Sequence, residues 1–346
     1  MKQKNIFVLR NNDLGDVLVA TPLVEALKST HPESKISIGV GDWAKPLLGN
    51  NPNLDEIISC NAPWHNKQNC RFPANSPKTF FEGLLYVLIS KESRKITKKK
   101  FTHGIDVLGS RQGSWLLRRA RIANRFGVRG YAGGDNWCLN CIQFREDSKV
   151  AEAALSFLAF FGVNKKVEPR PKIYLTKEET NQADLTWGEK NVYNHRIVIA
   201  AGGGFDQKCW GDDNFSALTK LLLRDLKFKI YIIGSKEDKK RIRLRQNERV
   251  KNLCGELTLR QSAALVSSSD FVFTNSSLCM HLAGAFKIPS LTLLGDWYDS
   301  ADLHHKQWGY PEGIVLGREK TKSRMNLATV EEAYELFSNL IQLKAT

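Results

Sequence analysis

The chain lacks the features that would mark a membrane-spanning or secreted protein. Its most apolar stretch, residues 154–163, is too short to cross a bilayer. Lys2 and Lys4 lead directly into a short strand, which is unlike the apolar core of a signal peptide. The seven cysteines are an odd number and are scattered along the chain. We therefore expect reduced thiols in a cytoplasmic protein.

Several site patterns are also missing. The chain has no Gly-x-Gly-x-x-Gly, no glycine turn followed by Gly-Lys-Ser/Thr, and no His-Glu-x-x-His. Its Cys-x-x-Cys pair, Cys138 and Cys141, has no second pair at the spacing of a zinc ribbon. The sequence therefore predicts neither a bound metal nor the usual dinucleotide and P-loop phosphate sites.

The length of 346 residues and an apolar content of 42% suit two domains. Residues 162–172 are rich in lysine, proline and charge, which predicts a linker. We expect domains at residues 1–165 and 173–346. Apolar periodicity predicts a helix over residues 150–161 and a closing helix over residues 330–343.

The N-terminal segment predicts the start of an open α/β sheet. Residues 6–9 are apolar and indicate a buried strand, and a helix with a periodic apolar face is expected after Gly15. Ligands of such sheets bind at the carboxyl ends of the strands, where Asp16 lies. From this stretch alone, Asp16 as a helix N-cap is favoured over Asp16 as a catalytic carboxylate.

Two later segments follow the same order. Residues 196–200 predict a strand that ends in the small residues 201–204, whose backbone amides can approach an anion, and Lys208 adds a positive charge. Residues 270–273 predict a strand, 274–277 a polar turn and 278–285 a helix whose N-terminus can bind an anion or simply be capped. A further strand is expected over residues 288–295. His281 lies one turn into the helix and can face either the core or a ligand.

Three motifs occur one after another along the chain. The first is Arg10, then Leu-Gly-Asp-Val-Leu at residues 14–18, then Thr-Pro at 21–22. The second is the glycine turn 202–204 followed by Lys-Cys-Trp-Gly at 208–211 and an aromatic residue, Phe215. The third is Asn-Ser-Ser-Leu-Cys-Met-His-Leu-Ala-Gly-Ala at residues 275–285. Together they resemble glycosyltransferase family 9, the heptosyltransferase-type enzymes.

The resemblance implies a GT-B fold, in which two Rossmann-like domains face each other across a cleft, with an acceptor-binding N-terminal domain and a nucleotide-sugar-binding C-terminal domain. It also implies an inverting transfer that needs no metal and no cofactor, most simply of heptose from ADP-heptose onto a lipopolysaccharide core acceptor. Asp16 would be the general base, with Asp13 as its rival. The residues implied to bind the donor are Gly202, Gly203, Gly204, Lys208, Asn275, Ser276, Ser277, Leu278 and His281.

The chain departs from the family pattern at two of these positions and at Cys209, next to Lys208. Ser276 replaces an acidic residue, Leu278 replaces glycine, and Cys209 replaces the arginine that follows the lysine. We therefore expect a changed or relaxed sugar preference, with Asp296 or Asp299 taking over contacts to the sugar hydroxyls. A family member that binds nucleotide sugars without transferring them is the alternative.

The charge is strongly positive and unevenly distributed. The net charge is +15, and residues 61–130 contain fifteen basic and three acidic residues. Residues 80–89 are strongly apolar and lead directly into the basic residues of 91–100, and residues 114–126 mix apolar residues with arginines. Both patterns suit an anionic membrane surface or an anionic acceptor site. A solvated surface is the ordinary alternative, and a nucleic-acid-binding surface ranks last because no recognised binding motif accompanies the charge. The residues expected to face the acceptor or the inner face of the cytoplasmic membrane are Arg10, Lys98, Lys99, Lys100, Arg118 and Arg119.

Overall fold

The computed structural model describes residues 3–73, 76–163, 166–188, 195–225, 227–319 and 326–345. The chain divides into two compact units, Met1–Tyr174 and Leu175–Thr346. Each unit contains one six-stranded parallel sheet, so the predicted α/β class is confirmed.

The sheet of the first unit has the order β3-β2-β1-β4-β5-β6. Its strands are β1 (Asn5–Leu9), β2 (Lys35–Val40), β3 (Glu56–Ser59), β4 (His103–Asp106), β5 (Asn124–Arg129) and β6 (Asn140–Gln143). Its helices are α1 (Leu14–Val19), α2 (Thr21–Thr30), α3 (Pro77–Ile89), α4 (Lys91–Lys98), α5 (Arg111–Arg119) and α6 (Val150–Leu155).

Strand β1 is buried on both faces, which explains why its sequence is apolar without alternation. Ile6 and Val8 pack into a core that includes residues of α1, α2 and α6. Phe7 and Leu9 point the other way, into a core with residues of α3, α4 and α5. The first unit is therefore a sheet between two helical layers.

The second unit has the strand order β12-β11-β10-β7-β8-β9. Its strands are β7 (His195–Ala200), β8 (Phe228–Ile232), β9 (Val250–Asn252), β10 (Phe271–Thr274), β11 (Ser290–Leu293) and β12 (Gly313–Leu316). Its helices are α7 (Lys177–Trp187), α8 (Asp212–Leu222), α9 (Leu259–Ser267), α10 (Leu278–Phe286), α11 (Ala301–Trp308) and α12 (Val330–Ala345). Residues of α8 and α12 share a core with β7, and Trp187 of α7 stacks on Tyr231 of β8.

Some predicted elements differ in extent. The first predicted helix is split at Ala20 into α1 and α2, and Pro22, which has no N–H to donate, lies in the first turn of α2. The helix predicted over residues 150–161 is α6 followed by a 3-10 helix, which ends at Gly162 in the left-handed region at φ 72°. The strand predicted over residues 288–295 is the shorter β11.

The expectation of a continuous amphipathic surface over residues 114–126 is wrong. Helix α5 ends at Arg119 and β5 begins at Asn124. Ile122 and Phe126 are buried, so these apolar residues belong to the core and do not form a surface anchor.

Each sheet has one point where the strand order reverses, between β1 and β4 in the first unit and between β7 and β10 in the second. At such a point the loops leave neighbouring strands in opposite directions, which opens a crevice at the carboxyl ends where ligands bind. The predicted Asp16 motif follows β1, the glycine turn follows β7, and the polar turn at residues 275–277 follows β10. Across the described part of the chain, no helix is both long enough and apolar enough to traverse a bilayer.

Candidate active site

Asp16 forms an ion pair with Arg10 at the reversal point of the first sheet. Arg10 Nη2 donates to Asp16 Oδ1 across 2.8 Å, and Arg10 Nε donates to the Asp16 carbonyl across 3.3 Å. The arginine side chain is 6% exposed, whereas the aspartate side chain is 28% exposed. Among the described residues, Asp16 Oδ2 has no hydrogen-bond or ion-pair partner, so this oxygen is available to a ligand.

Asp13, not Asp16, is the N-cap of α1, and the capping role favoured for Asp16 is therefore wrong. Asp16 is the third residue of the helix. Asp13 makes no side-chain cap bond. Its Oδ1 accepts from the Lys67 backbone at 3.0 Å, and its Oδ2 lies 3.7 Å from Lys67 Nζ. Because both oxygens of Asp13 contact Lys67, Asp16 is the better placed of the two carboxylates to accept a new proton.

The loop after β1 is held by the loop after β3. Asn11 Nδ2 donates to the Trp64 carbonyl, and Asn12 Nδ2 donates to the His65 carbonyl. Trp64 is fully buried and packs edge-on against Tyr86 of α3, with 5.3 Å between the ring centroids. The amide oxygens of Asn11 and Asn12 are buried and have no hydrogen-bond partner among the residues that the structure describes.

A third carboxylate, Asp106, lies at the end of β4 beside Leu9 of β1. It is fully buried. Burial raises the pKa of Asp106 to about 6, against the lowering effect of hydrogen bonds from Ser110 and Gly109 and the charge of Arg10. Its Oδ2 accepts from the Ser110 backbone at 2.8 Å, whereas its Oδ1 has no hydrogen-bond partner in the described part of the chain. The sequence interpretation missed Asp106, although an aspartate at the end of a short apolar strand was a usable signal.

In the second unit, Lys208 lies among aromatic rings. Its Nζ is 5.1 Å from the centroid of Phe205 and 5.7 Å from that of Tyr298. Trp297, which is 60% exposed, packs edge-on against Phe205. Backbone hydrogen bonds from Gly295 to the Lys208 carbonyl and from Trp297 to the Gln207 carbonyl join the loops after β7 and β11. The joined loops place Phe205 and Tyr298 beside the ammonium group, and cation–π attraction to these two rings holds it in place.

Ser276 contacts a buried histidine that the sequence interpretation missed. Its Oγ is 2.8 Å from His304 Nε2, and Tyr298 packs edge-on against the His304 ring. Burial is the main cause that lowers the pKa of His304 to about 3, and the positive charge of Lys208 acts in the same direction. The imidazole is therefore neutral at neutral pH. No short-range signal could reveal His304, which is 28 residues from Ser276 in the sequence.

His281 belongs to the core of the second unit. It is 6% exposed, and its Nδ1 is 2.7 Å from the Tyr310 hydroxyl. Burial lowers its pKa to about 4. Of the two orientations that the sequence allows for His281, the structure has the one that faces the core. A donor-binding role for His281 remains a prediction.

Asn275 and the glycines organise the turn between β7 and β10. Asn275 Oδ1 accepts from the Trp210 backbone at 2.9 Å, and its Nδ2 donates to the Ala201 carbonyl at 2.6 Å. A side chain at Gly202 would collide with the Asp238 carboxylate, and one at Gly203 would meet Cys209 Sγ at 2.7 Å. These residues are thus required for close packing, and their donor-binding role stays a prediction.

The rest of the predicted turn is partly exposed. Gly204 is exposed, and Ser277 and Leu278 are half-buried at the start of α10. Ser277 is the N-cap, but its Oγ lies 3.1 Å from Thr274 Oγ1 and makes no cap bond. Leu278 occupies the first helical position.

The basic residues predicted to face an acceptor lie away from Asp16, with the exception of Arg10. Asn5, at the start of β1, donates to the Lys99 carbonyl, and Lys99 Nζ is 2.7 Å from Glu56 at the start of β3. A groove of about 510 Å³ near the start of β5 is lined by Arg118, Arg119, Arg121, Ile122, Ala123 and Arg125. Lys98, Lys99, Lys100, Arg118 and Arg119 therefore gather at the amino ends of the strands, and only Arg10 is next to Asp16.

Comparison with known proteins identifies the family. The model of glycosyltransferase family 9 (heptosyltransferase) matches residues 89–330. The chain belongs to glycosyltransferase family 9. Lipooligosaccharide heptosyltransferase 2 of Haemophilus influenzae is 24% identical over 310 residues, covering 84% of this chain and 83% of that protein. The Haemophilus ducreyi enzyme of the same name is 22% identical over 302 residues, covering 82% and 80%. The predicted resemblance is confirmed.

Solved structures support the fold of this family 9 enzyme. The structure of E. coli ADP-heptose lipopolysaccharide heptosyltransferase II matches with a TM-score of 0.75 at 18% identity and covers 99% of this chain and 100% of that one. E. coli heptosyltransferase WaaC, solved with ADP-2-deoxy-2-fluoro heptose, matches with a TM-score of 0.72 at 14% identity and covers 97% and 99%. The GT-B class implied by the family resemblance is confirmed.

Proposed function

We propose that this family 9 enzyme transfers heptose from ADP-heptose to a lipopolysaccharide core acceptor, with inversion at the anomeric carbon and without a metal. One observation carries the proposal. The family motifs lie at the points where the strand order of each sheet reverses. Asp16 and Arg10 follow β1, Lys208 follows β7, and Ser276 follows β10. The relatives named above are heptosyltransferases.

Asp16 is the proposed general base. A sugar hydroxyl is a weak nucleophile at neutral pH, so the transfer needs a group that takes its proton as the new bond forms. Asp16 Oδ2 would accept that proton, while the acceptor oxygen bonds to the anomeric carbon and ADP departs with the electrons of the broken bond. Arg10, bound to Oδ1, fixes the direction of Oδ2. Asp13 remains the next carboxylate to consider.

Lys208 is the proposed electrostatic partner of the departing diphosphate. Its ammonium group is held by Phe205 and Tyr298, and a preorganised cation stabilises negative charge that develops on a leaving group. The glycine turn and the Asn275–Leu278 turn would supply backbone amides to the same anion. His304 is neutral beside Ser276 and would contribute hydrogen bonding without charge.

The chain departs from the family pattern where the family binds the donor sugar. Ser276 replaces the family acid, and its hydroxyl is already engaged with His304. We propose that Asp296 or Asp299 binds sugar hydroxyls instead. Asp296 forms an ion pair with Arg318 and is 60% exposed, so its carboxylate is accessible.

The proposed acceptor is an anionic, lipid-linked saccharide at the inner face of the cytoplasmic membrane. The net charge of +15 and the concentration of cations in residues 61–130 favour an anionic partner. A family 9 enzyme has such a partner in its acceptor, so nucleic acid is not needed to explain the charge.

Binding of a nucleotide sugar without transfer is the second candidate, favoured by Ser276 and Leu278. A thermal-shift panel of ADP-, UDP- and GDP-sugars, followed by mass spectrometry of a core acceptor after incubation with the best ligand, separates the two. Stabilisation by ADP-heptose and a mass gain of one heptose support transfer, because a tight ligand stabilises the form that binds it. Stabilisation with neither transfer nor donor hydrolysis supports the second candidate.

A further inference from the structure

Helix α3 presents an exposed apolar stripe to solvent, of which Phe80 also packs edge-on against Trp115. From Phe80 to the end of the helix, the exposed residues are all apolar, namely Phe80, Phe81, Leu85, Leu88 and Ile89. Phe81 and Ile89 are each 59% exposed and Leu88 is 49% exposed. The spacing of 81, 85, 88 and 89 places these side chains on one helical face. An exposed stripe of this kind marks an interaction surface.

Helix α4 presents a stripe of the opposite character. Its exposed residues Lys91, Arg94, Lys95 and Lys98 recur at helical spacing, and none lies within 4 Å of a carboxylate of the described residues. The acid of this helix, Glu92, turns inward, where it accepts from the Asn61 backbone and from the Tyr86 hydroxyl. The outward face of α4 is therefore purely cationic.

One residue joins the two helices. Ser90 is the C-cap of α3 and the N-cap of α4, and its Oγ accepts from the Ser93 backbone at 3.0 Å. Ser93 Oγ in turn donates to the Val87 carbonyl at 2.6 Å. The apolar and cationic stripes are thus adjacent and fixed relative to each other. We call the nine exposed residues of these two stripes the α3–α4 surface.

We propose that the α3–α4 surface docks on a bilayer that contains anionic lipids, with the α3 stripe inserted among the acyl chains and the α4 stripe on the headgroup phosphates. Apolar side chains beside lysine and arginine are the composition of helices that lie in the membrane interface. A second copy of the chain fits less well, because it would bring two cationic α4 faces together.

The surface is built on the same framework as the Asp16 loop. The buried face of α3 contacts Trp64 through Tyr86, and the Trp64 carbonyl accepts from Asn11, which follows β1. A membrane bound at α3 would therefore lie against the unit that carries the proposed base. In this respect the inference rests on the proposed function, since a lipid-linked acceptor is reached from the bilayer.

The test measures binding of the full chain to vesicles of phosphatidylethanolamine with about one-third phosphatidylglycerol, by co-sedimentation. We expect Phe81→Ser with Ile89→Ser to lower vesicle affinity at least about ten-fold at any salt concentration, because the lost contact is apolar. We expect Lys91→Gln with Arg94→Gln and Lys95→Gln to lower affinity by about five-fold per residue at 0.1 M salt. That second loss should vanish near 1 M salt, where charges are screened beyond about 3 Å.

Matched controls lie in the second unit. Leu185→Ser with Leu303→Ser removes two exposed apolar side chains, and Lys220→Gln with Arg224→Gln and Lys227→Gln removes three exposed charges. Both should bind vesicles as the parent does. Equal losses of vesicle affinity in the control and α3–α4 variants would overturn the proposal. Failure of the parent chain to bind anionic vesicles would also overturn it.

Two further outcomes also decide against it. Loss of vesicle binding in Arg118→Gln with Arg119→Gln and Arg121→Gln, with the α3–α4 variants unaffected, would move the membrane contact to the arginine groove. A parent dimer in sedimentation velocity that becomes monomeric in Phe81→Ser with Ile89→Ser, without any vesicle binding, would make the surface a dimer interface. Because vesicle binding is measured without donor or acceptor, a chain that binds vesicles but transfers no sugar would refute the proposed function and leave this inference standing.

Discussion

Arg10 binds one oxygen of the Asp16 carboxylate, at 2.8 Å from Oδ1, and leaves Oδ2 without a partner among the described residues. The arginine is buried and the aspartate is partly exposed, so the pair is anchored on the protein side and open on the other. Such a pair directs a carboxylate at a ligand more firmly than a solvated side chain would.

The first prediction concerns Asp16→Asn. Asparagine retains an oxygen for Arg10 but cannot take a proton, and Asp13 rather than Asp16 caps α1. We expect normal folding, normal donor affinity and a fall in kcat of about 10²–10⁴-fold. Single-turnover transfer assays and donor titration by calorimetry give the two quantities.

Asp13→Asn is the matched control for that prediction, since it changes the neighbouring carboxylate that contacts Lys67. Its kcat should stay close to that of the parent. Near-parental turnover in Asp16→Asn, with a large loss in Asp13→Asn, would reverse the two assignments.

The second prediction concerns Lys208→Ala. A charge-assisted contact to phosphate is worth roughly 1.5–3 kcal/mol, so donor affinity should fall by about 10–150-fold. The melting temperature without donor should change little, because the lysine is partly exposed. Lys220→Ala, an exposed lysine of α8, is the control. An unchanged donor dissociation constant in Lys208→Ala would remove this residue from the phosphate site.

The third prediction concerns the donor sugar. At least one of Asp296→Ala and Asp299→Ala should lower the ratio of kcat/KM for ADP-heptose to that for another nucleotide sugar, because one of these carboxylates is proposed to replace the family acid at Ser276. Ser276→Ala should leave that ratio unchanged but destabilise the unit by about 1–3 kcal/mol, because buried His304 loses its hydrogen-bond partner. Strict use of ADP-heptose in all three variants would contradict the expectation of a changed sugar preference.

The sequence predicted the parts of the fold that depend on local pattern. The apolar residues 6–9 form β1, and the turns after β1, β7 and β10 lie at the carboxyl ends where ligands bind. These features follow from chain order, since a parallel sheet brings its carboxyl ends to one edge.

Contacts between distant segments were not predictable in the same way. His304 meets Ser276, and Tyr298 meets Lys208, only because the loops after β10 and β11 fold over the glycine turn. Ile122 and Phe126 have the pattern of a surface anchor but fill the core, because α5 ends at Arg119 and the chain turns into β5. Charge counting likewise could not distinguish the groove of Arg118 and Arg119 from the Asp16 edge.

The last prediction is a pH dependence of stability. His304 has a pKa near 3 in the folded state and an ordinary value of 6.5, because burial disfavours its charged form. As pH falls from 6.5 towards 4, the unfolded chain takes up a proton at this position and the folded chain does not, so the histidine lowers the free energy of unfolding by up to about 1.4 kcal/mol per pH unit. Asp106 acts in the opposite sense, because its raised pKa of about 6 makes the folded chain bind a proton above the ordinary pKa of 3.8. In urea unfolding between pH 7 and pH 4, His304→Gln should therefore gain stability relative to the parent as the pH falls. Asp106→Asn should be more stable than the parent at pH 7, where the buried aspartate is charged, and this difference in the free energy of unfolding should disappear towards pH 4. Parallel curves for the parent and His304→Gln would mean that His304 titrates as an exposed histidine does.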